Sequence, residues 1–261
     1  MLELRRVRAL ALAMTAAAAG YAAIMAWFWP IMRDNSKLID QYMSMFPSGF
    51  MAAFGMEGSL SDPGIFFTTY IGSWLWPVMA ALVGIVVATR PVAVDLERGF
   101  LDLPLATRLS RARYLAAITL AHALALAVLA SVTVLAFWIA ATIAGAPYDP
   151  GRLFIVAVLA WLFACAIAAC AALLSVITLS RGWAGGIVAI VLLAMYLINV
   201  IAQMQPDLAG LANLSALHYF RPTSLIDKGE IPVLDMALFA VVAVAAWAAA
   251  ILGFRRRNLA A

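Results

Sequence analysis

The sequence predicts an all-α integral membrane protein with six transmembrane helices and both termini in the cytoplasm. Composition is the first reason: 66% of the 261 residues are hydrophobic and 11% are charged, whereas soluble domains are about 45–50% apolar and about 25% charged. A water-soluble core of this size could not bury so much apolar surface. The second reason is a series of six long apolar segments, and the third is the uneven distribution of arginine between the loops.

Each of the six segments reaches the roughly 20 apolar residues that a helix needs to cross a bilayer. They are Ala9–Met32, Phe66–Thr89, Tyr114–Ala144, Leu153–Leu179, Trp183–Met204 and Val233–Phe254, and they form a single transmembrane domain over residues 1–261. The first exceeds the roughly 7–15 apolar residues of a signal peptide, which favours an uncleaved span. Only three residues separate the fourth segment from the fifth, so these two should form a tight helical hairpin.

The basic residues of the loops predict the orientation, because cytoplasmic loops of membrane proteins are enriched in lysine and arginine. With both termini on one side, that side carries 12 of the 17 basic residues, and the opposite side carries the other 5. We therefore predict a multi-pass protein of the cytoplasmic (inner) membrane. Both termini and the segment Arg90–Arg113 should lie inside.

Two segments on the predicted outer side are long. The stretch Ser36–Phe46 has an amphipathic pattern, with Ser36 as a candidate helix N-cap. One face of this helix would carry Ile39, Tyr42, Met43 and Phe46. The stretch Gln205–Pro232 is rich in Pro, Gly, Asn and Asp, which predicts an irregular, solvent-facing loop. Tryptophans near the outer ends of the first two spans indicate an aromatic belt at the membrane surface. They are Trp27, Trp29, Trp74 and Trp76.

No segment carries the signature of a catalytic or metal site. The two lysines, Lys37 and Lys228, do not follow a glycine-rich phosphate-binding turn, so the chain lacks that route to ATP hydrolysis. His122 and His218 are far apart in sequence and form no zinc-binding motif, which argues against a zinc intramembrane protease. The net charge of +4 is not a nucleic-acid signal in a chain of this composition. We predict no catalytic residue, cofactor-binding residue or metal ligand.

Three polar residues within the spans are candidate pathway or interface residues. Asn199 and Gln203 lie four apart on one face of the fifth span, and both helix–helix hydrogen bonding and a substrate path are open. His122 lies in the third span, where a structural hydrogen bond is the favoured interpretation. The glycines around Gly185 would permit close helix packing, either within the chain or between two chains.

The loop Arg90–Arg113, between the second and third spans, combines apolar and charged residues at helical spacing. Its apolar side carries Val92, Leu96, Phe100 and Leu103. Its charged side carries Asp95, Arg98 and Asp102. This pattern predicts a short amphipathic helix that ends near Pro104. The apolar side can rest on the bundle or enter a groove on a partner, and the pattern alone also fits an ordinary connector.

The same loop resembles the intracellular signature of ABC-2 type transporter permeases. In that signature an acidic residue, a glycine, a leucine-rich turn and a Pro-hydrophobic-Ser-Arg element join the second and third spans. The residues in register are Glu97, Gly99, Leu101, Asp102, Leu103, Ser110 and Arg111. Arg108 stands where the family has proline, and the proline of this chain comes earlier, at Pro104.

Two further segments are similar to the same family. Gln41–Gly55 is similar to the loop that follows its first span, and Phe254–Asn258 is similar to the Phe-Arg-Arg-Arg-Asp ending after its last span. The resemblance implies a permease subunit of an exporter, working with a separate ATP-binding cassette ATPase that binds ATP and Mg²⁺. It also implies a dimer with a second permease chain in the lipid membrane, with no role for nucleic acid.

The resemblance makes the inner loop a coupling helix that contacts the ATPase. The residues implied are Glu97, Arg98, Gly99, Phe100 and Asp102. Two alternatives remain: a stand-alone secondary carrier or channel, and a membrane scaffold that transports nothing. No span carries a carboxylate at mid-membrane, which argues against an ion-coupled carrier. The sequence does not identify the substrate.

Overall fold

The computed structural model describes residues 2–47, 49, 51, 60, 62–89, 110–146 and 149–256, and within these residues it contains helices and no strand. In chain order the helices are α1 (Leu2–Asp34), α2 (Ser36–Met43), α3 (Pro63–Thr68), a π-helix (Thr69–Leu75), α4 (Trp76–Thr89), α5 (Arg111–Ile143), α6 (Pro150–Thr178), α7 (Arg181–Met204), a 3-10 helix (Pro206–Leu214), α8 (Ala216–Tyr219), α9 (Pro222–Lys228) and α10 (Val233–Arg256). The predicted all-helical class is therefore confirmed.

Five of these helices are long and apolar enough to cross a membrane: α1, α5, α6, α7 and α10. They coincide with five of the six predicted spans. The second predicted span, Phe66–Thr89, has a different construction, because α3, the π-helix and α4 follow one another without a break from Pro63 to Thr89. Its regular α-helical part, α4, has 14 residues, fewer than a full crossing needs.

The helix boundaries follow from capping residues in the sequence. At the start of α5, the Ser110 hydroxyl accepts a hydrogen bond from the Arg113 backbone N–H at 3.3 Å. The Asp149 carboxylate accepts one from the Gly151 N–H at 2.9 Å, with Pro150 at the first position of α6. Such caps satisfy backbone donors that lack a partner in the first helical turn. Between α6 and α7 the chain turns at Leu179 in the left-handed conformation, with φ at 53°, which confirms the predicted tight hairpin.

Helix α6 lies at the centre of the bundle and contacts α4, α5, α7 and α10. Its buried surface is dominated by small side chains, Ala164, Cys165, Ala166, Ala168, Ala169, Ala171 and Ala172. Lipid tails are as apolar as leucine, so helices in a bilayer associate through close packing rather than through exclusion of water. The alanines allow this close approach. By contrast α1 and α7 are peripheral, with most of their apolar surface exposed.

The observed structure of Gln205–Pro232 differs from the irregular, solvent-facing loop that was predicted. It folds into the 3-10 helix, α8 and α9. Several of its side chains are buried, including Phe220, Leu225 and Ile226. The Phe220 ring stacks on Phe163 of α6 with the ring centroids 4.5 Å apart. Short helical turns satisfy the backbone while apolar side chains dock on the bundle, so this segment caps one end of the protein.

Helix α2 partly matches its prediction. Asn35, not Ser36, occupies the N-cap position, and the Asn35 side chain donates to the Ile31 carbonyl instead of capping α2. Ile39 and Met43 pack on the aromatic cluster around Phe66. The other two residues predicted for this face are exposed: Tyr42 and Phe46 contact each other edge to face.

The predicted aromatic belt is wrong for two of its four tryptophans. Trp27 is 74% exposed, as a belt residue would be, but Trp29 and Trp76 are only 2% and 1% exposed. Trp29 packs against Phe66 and Phe67, with ring centroids 5.1 and 5.9 Å away. These two indole rings belong to the core, and the Trp74 side chain lies outside the described residues.

Candidate functional site

The predicted coupling residues Glu97, Arg98, Gly99, Phe100 and Asp102 lie outside the described residues. The structure does describe both points at which their segment, residues 90–109, joins the bundle. One is Thr89 at the end of α4, and the other is Ser110 at the start of α5. A cluster of Leu115, Val176 and Phe254 lies at the same end of the bundle, so the segment leaves and re-enters where α6 ends and α10 ends.

Helix α4 is fixed to α6 beside this segment. The Ser175 hydroxyl of α6 donates to the Thr89 backbone carbonyl at 3.3 Å, and both residues are fully buried. The Thr89 hydroxyl donates to the Ile85 carbonyl at 2.8 Å within α4. Any displacement of the first residues after Thr89 therefore acts directly on α4 and α6. Sequence reasoning missed this contact, because serine and threonine are common at helix ends and nothing local pairs these two.

The opposite end of α4 carries a second link to α6. The indole N–H of Trp76 donates to the Ala160 carbonyl at 2.9 Å. Between the two links, Gly84 faces Ala168 and Ile167, and a Cβ built on Gly84 would lie 3.4 Å from each. Helix α4 is thus held against α6 along its length, and the two helices should move as one body.

The glycines at the start of α7 show which of the two packing alternatives applies. A Cβ on Gly185 would lie 3.0 Å from the Ile85 side chain of α4, so Gly185 serves close packing within the chain. The neighbouring Gly186 is exposed, and a Cβ there would meet no atom within 4 Å. Two adjacent glycines therefore have different surroundings.

Gly185→Leu should destabilise the bundle by about 1–3 kcal/mol, because the added side chain overpacks the contact between α7 and α4. Gly186→Leu is the matched control on the same helical turn. It should leave thermal stability in detergent within about 0.5 kcal/mol of wild type, as exposed substitutions usually do. Equal melting temperatures for the two variants would contradict the packing assigned to Gly185.

His122 lies on a different helix from Asn199 and Gln203, which are one turn apart on α7. Asn199 is buried near the C-terminal end of α7, and its side-chain carbonyl Oδ1 has no hydrogen-bond partner among the described residues. Gln203 is half-buried one turn further on, and its backbone carbonyl lies against Gly49. His122 is buried in α5, and its Nε2 atom also has no partner within the described part of the chain. The interface and pathway roles of these residues stay predictions.

One apolar face of the bundle is a candidate interface. Helix α4 buries one side on α6 and also contacts α1 and α7. Its other side exposes Val78 and Leu82, which are 58% and 51% exposed. Helices α1 and α7, which contact α4, are themselves largely exposed. This face, defined by α1, α4 and α7, fits lipid or a second chain.

A small charged cluster lies on the capping segment. Arg221 Nη2 is 3.5 Å from His218 Nε2, and burial lowers the pKa of His218 below its ordinary value. The positive charge of Arg221 lowers this pKa further, while Asp235 opposes the shift. A neutral imidazole at neutral pH can accept a hydrogen bond from the guanidinium. Among the described residues no three His, Cys, Asp or Glu side chains are grouped as metal ligands would be.

Comparison with known proteins gives one finding that covers most of the chain. The family described as ABC-2 family transporter protein matches residues 34–255, from the end of α1 to the last turns of α10. No curated protein and no solved structure matches the chain.

Proposed function

The chain belongs to the ABC-2 family of transporter proteins, and from that premise we propose that it is the permease subunit of an ATP-driven exporter. The family match carries the proposal, because it begins at the last residue of α1 and includes the segment 90–109, all of α4 to α7 and nearly all of α10. Permeases of this family are membrane transport components that generally work with an ATP-binding cassette subunit. In such a complex the permease would contribute the transport pathway, and a separate subunit would bind ATP and Mg²⁺.

The contacts of α4 support a route for coupling. The coupling residues Glu97, Arg98, Gly99, Phe100 and Asp102 would dock on the ATPase, and Thr89 would receive their displacement. The bonds Ser175–Thr89 and Trp76–Ala160 hold α4 on α6, so the two helices would shift together as a rigid unit. That shift would change the face defined by α1, α4 and α7, where we place the contact with a second permease chain.

The topology proposed for this subunit has six spans. The continuous helical segment from Pro63 to Thr89 would be the second span, with the π-helix in its outer half. Such single-turn π segments often mark functional sites within helices. Both termini and residues 90–109 would face the cytoplasm, and the capping segment would face outward. The arginine distribution supports this orientation in the cytoplasmic membrane.

Single-cysteine labelling tests the topology. The native Cys165 and Cys170 are first replaced by alanine, since they lie within α6. In intact cells, a membrane-impermeant maleimide should modify a cysteine at Asp207, which is exposed on the 3-10 helix. A cysteine at Ser110 should react only after the membrane is opened. Labelling of both positions from outside would refute the predicted orientation.

Purification of the tagged full-length chain from its native membrane tests the function itself. We expect an ATPase subunit with a phosphate-binding loop to co-purify, and native mass spectrometry of the active complex to give two permease chains with two ATPase chains. A single permease chain in the active complex would overturn the dimer. Transport by the purified chain without any ATPase would favour the stand-alone carrier.

One observation weighs against the carrier alternative. In the described helices α4 to α7 and α10, the acidic residues are confined to the helix ends, as with Asp235 in the first turn of α10. Ion-coupled carriers use ionisable groups inside the membrane to link ion and substrate movement. His122 is the only ionisable side chain of Asp, Glu, His, Lys or Arg type deep within these described helices. Energy supplied by a separate ATPase fits this distribution better.

A further inference from the structure

A cavity of about 290 Å³ lies between α6, α7 and α10, beneath the capping segment. Helix α6 forms its floor with Phe163, Ala166 and Ile167, all of which are buried. The walls are apolar side chains of the two flanking helices, Val188, Val191, Leu192 and Met195 on α7 and Leu238, Phe239 and Val242 on α10. The other two α6 residues that line the cavity are Cys170 and Leu174. None of the three helices therefore contributes a charged, amide or hydroxyl side chain to the lining.

The cavity opens sideways, between α7 and α10. The floor residue Phe163 is 1% exposed, whereas the rim residues Val191 on α7 and Leu238 on α10 are 44% and 40% exposed. All three helices that form it are long and apolar enough to cross a membrane. The mouth therefore faces the hydrocarbon of the bilayer and not water.

The outer end of the cavity differs from the rest. Asn213, Ser215 and Tyr219 of the capping segment line it there, and the Tyr219 hydroxyl donates to the Asn213 carbonyl at 3.1 Å. Phe220 lies behind the floor, stacked on Phe163. The lining is thus apolar almost throughout, and the lining residues with hydroxyl or amide side chains, Asn213, Ser215 and Tyr219, all belong to the capping segment. An apolar lining suits a hydrocarbon chain, and the capping segment would lie beside the headgroup of such a lipid.

We propose that this cavity binds one hydrocarbon chain of a membrane lipid, whose headgroup lies at the level of Asn213 and Tyr219. The surrounding solvent at this depth is lipid chains, and an unfilled gap would forfeit the dispersion contacts of every side chain that lines it. A chain inserted from the side restores these contacts without moving α7 or α10. The bound lipid would also support the capping segment from below. This site does not depend on the proposed transport function.

The test uses the full-length chain with its co-purifying subunits, reconstituted with a phospholipid that carries a photoreactive group on one acyl chain. No transport substrate is added, so any bound chain comes from lipid. After detergent washing and irradiation, we expect about one attached lipid per chain, on peptides that include Ile167, Met195 or Phe239. Ala166→Phe, which fills the cavity from its floor, should lower the retained lipid about fivefold or more, because no room remains for the chain.

Ala248→Phe on an exposed face of α10 is the control, and it should retain lipid as wild type does. Val191→Trp fills the cavity from the α7 wall and replaces Ala166→Phe if that variant does not fold, as judged by its elution and helical circular dichroism. Equal lipid retention in the filled and wild-type proteins would overturn the site. Attachment that maps only to other surfaces, such as Leu120 and Val128 of α5, would do the same.

Discussion

The double variant Glu97→Lys with Phe100→Ala is expected to lose ATPase binding while its membrane domain still inserts. Both residues belong to the segment that resembles the family's coupling element, and neither lies in a predicted span. A buried aromatic anchor at an interface is typically worth about 2–4 kcal/mol, and 2 kcal/mol corresponds to roughly a 30-fold loss of affinity. Charge reversal at Glu97 adds repulsion against any cationic partner. Co-purification and stimulation of ATP hydrolysis should both fall by at least about tenfold.

The control carries the same kinds of substitution at the other end of the bundle. Asp207→Lys with Phe154→Ala changes two exposed residues, one on the 3-10 helix and one in the first turns of α6. This control should bind and stimulate the ATPase as wild type does. If the Glu97 and Phe100 variant inserts normally and also keeps wild-type binding and stimulation, residues 90–109 are only a connector.

Trp76→Ala is expected to cause the largest loss of stability of any single change considered. The Trp76 indole is 1% exposed, lies in the main hydrophobic cluster and donates to the Ala160 carbonyl. Truncating a buried aromatic of this size costs about 3–5 kcal/mol through lost contacts and the cavity that remains. The loss of the hydrogen bond adds about 1 kcal/mol or less, as found for such bonds between membrane helices. Thermal unfolding in detergent should register the change as a markedly lower midpoint.

Two further variants separate the causes of the stability loss expected for Trp76→Ala. Trp76→Phe removes the donor and part of the volume, so its melting temperature should fall between wild type and Trp76→Ala. Trp27→Ala removes a tryptophan that is 74% exposed and should change stability by about 0.5 kcal/mol or less. If Trp27→Ala and Trp76→Ala were equally destabilising, the assignment of Trp76 to the core would be wrong.

The helices were predictable because each is specified by local sequence. The predicted spans Ala9–Met32 and Val233–Phe254 lie inside α1 and α10: α1 begins seven residues before its span, and both helices end two residues after theirs. The tight turn between the fourth and fifth spans was predicted from the three residues Ser180–Gly182 that separate the two apolar segments. The coupling residues Glu97 to Asp102 remain a prediction from resemblance, because they lie outside the described residues.

The capping segment was mispredicted for a physical reason. Its many Pro, Gly, Asn and Asp residues are typical of loops. These residues predict where the backbone turns, but they do not predict which side chains are buried. Its burial depends on Phe220, which lies between α8 and α9, and on Leu225 and Ile226 within α9. Weighing these apolar residues beside the turn formers would have indicated docking on the bundle.

The sequence by itself determined the membrane class, the positions of the long helices and the family resemblance that residues 34–255 bear out. Only the tertiary structure decided which apolar residues face protein and which face lipid. In water, polarity separates the two faces of a helix, but in a bilayer both faces are apolar. Trp76 and Trp27, or Gly185 and Gly186, are therefore alike in sequence and opposite in environment. The Ser175–Thr89 bond and the cavity between α6, α7 and α10 follow from the same packing, which no local pattern in the sequence records.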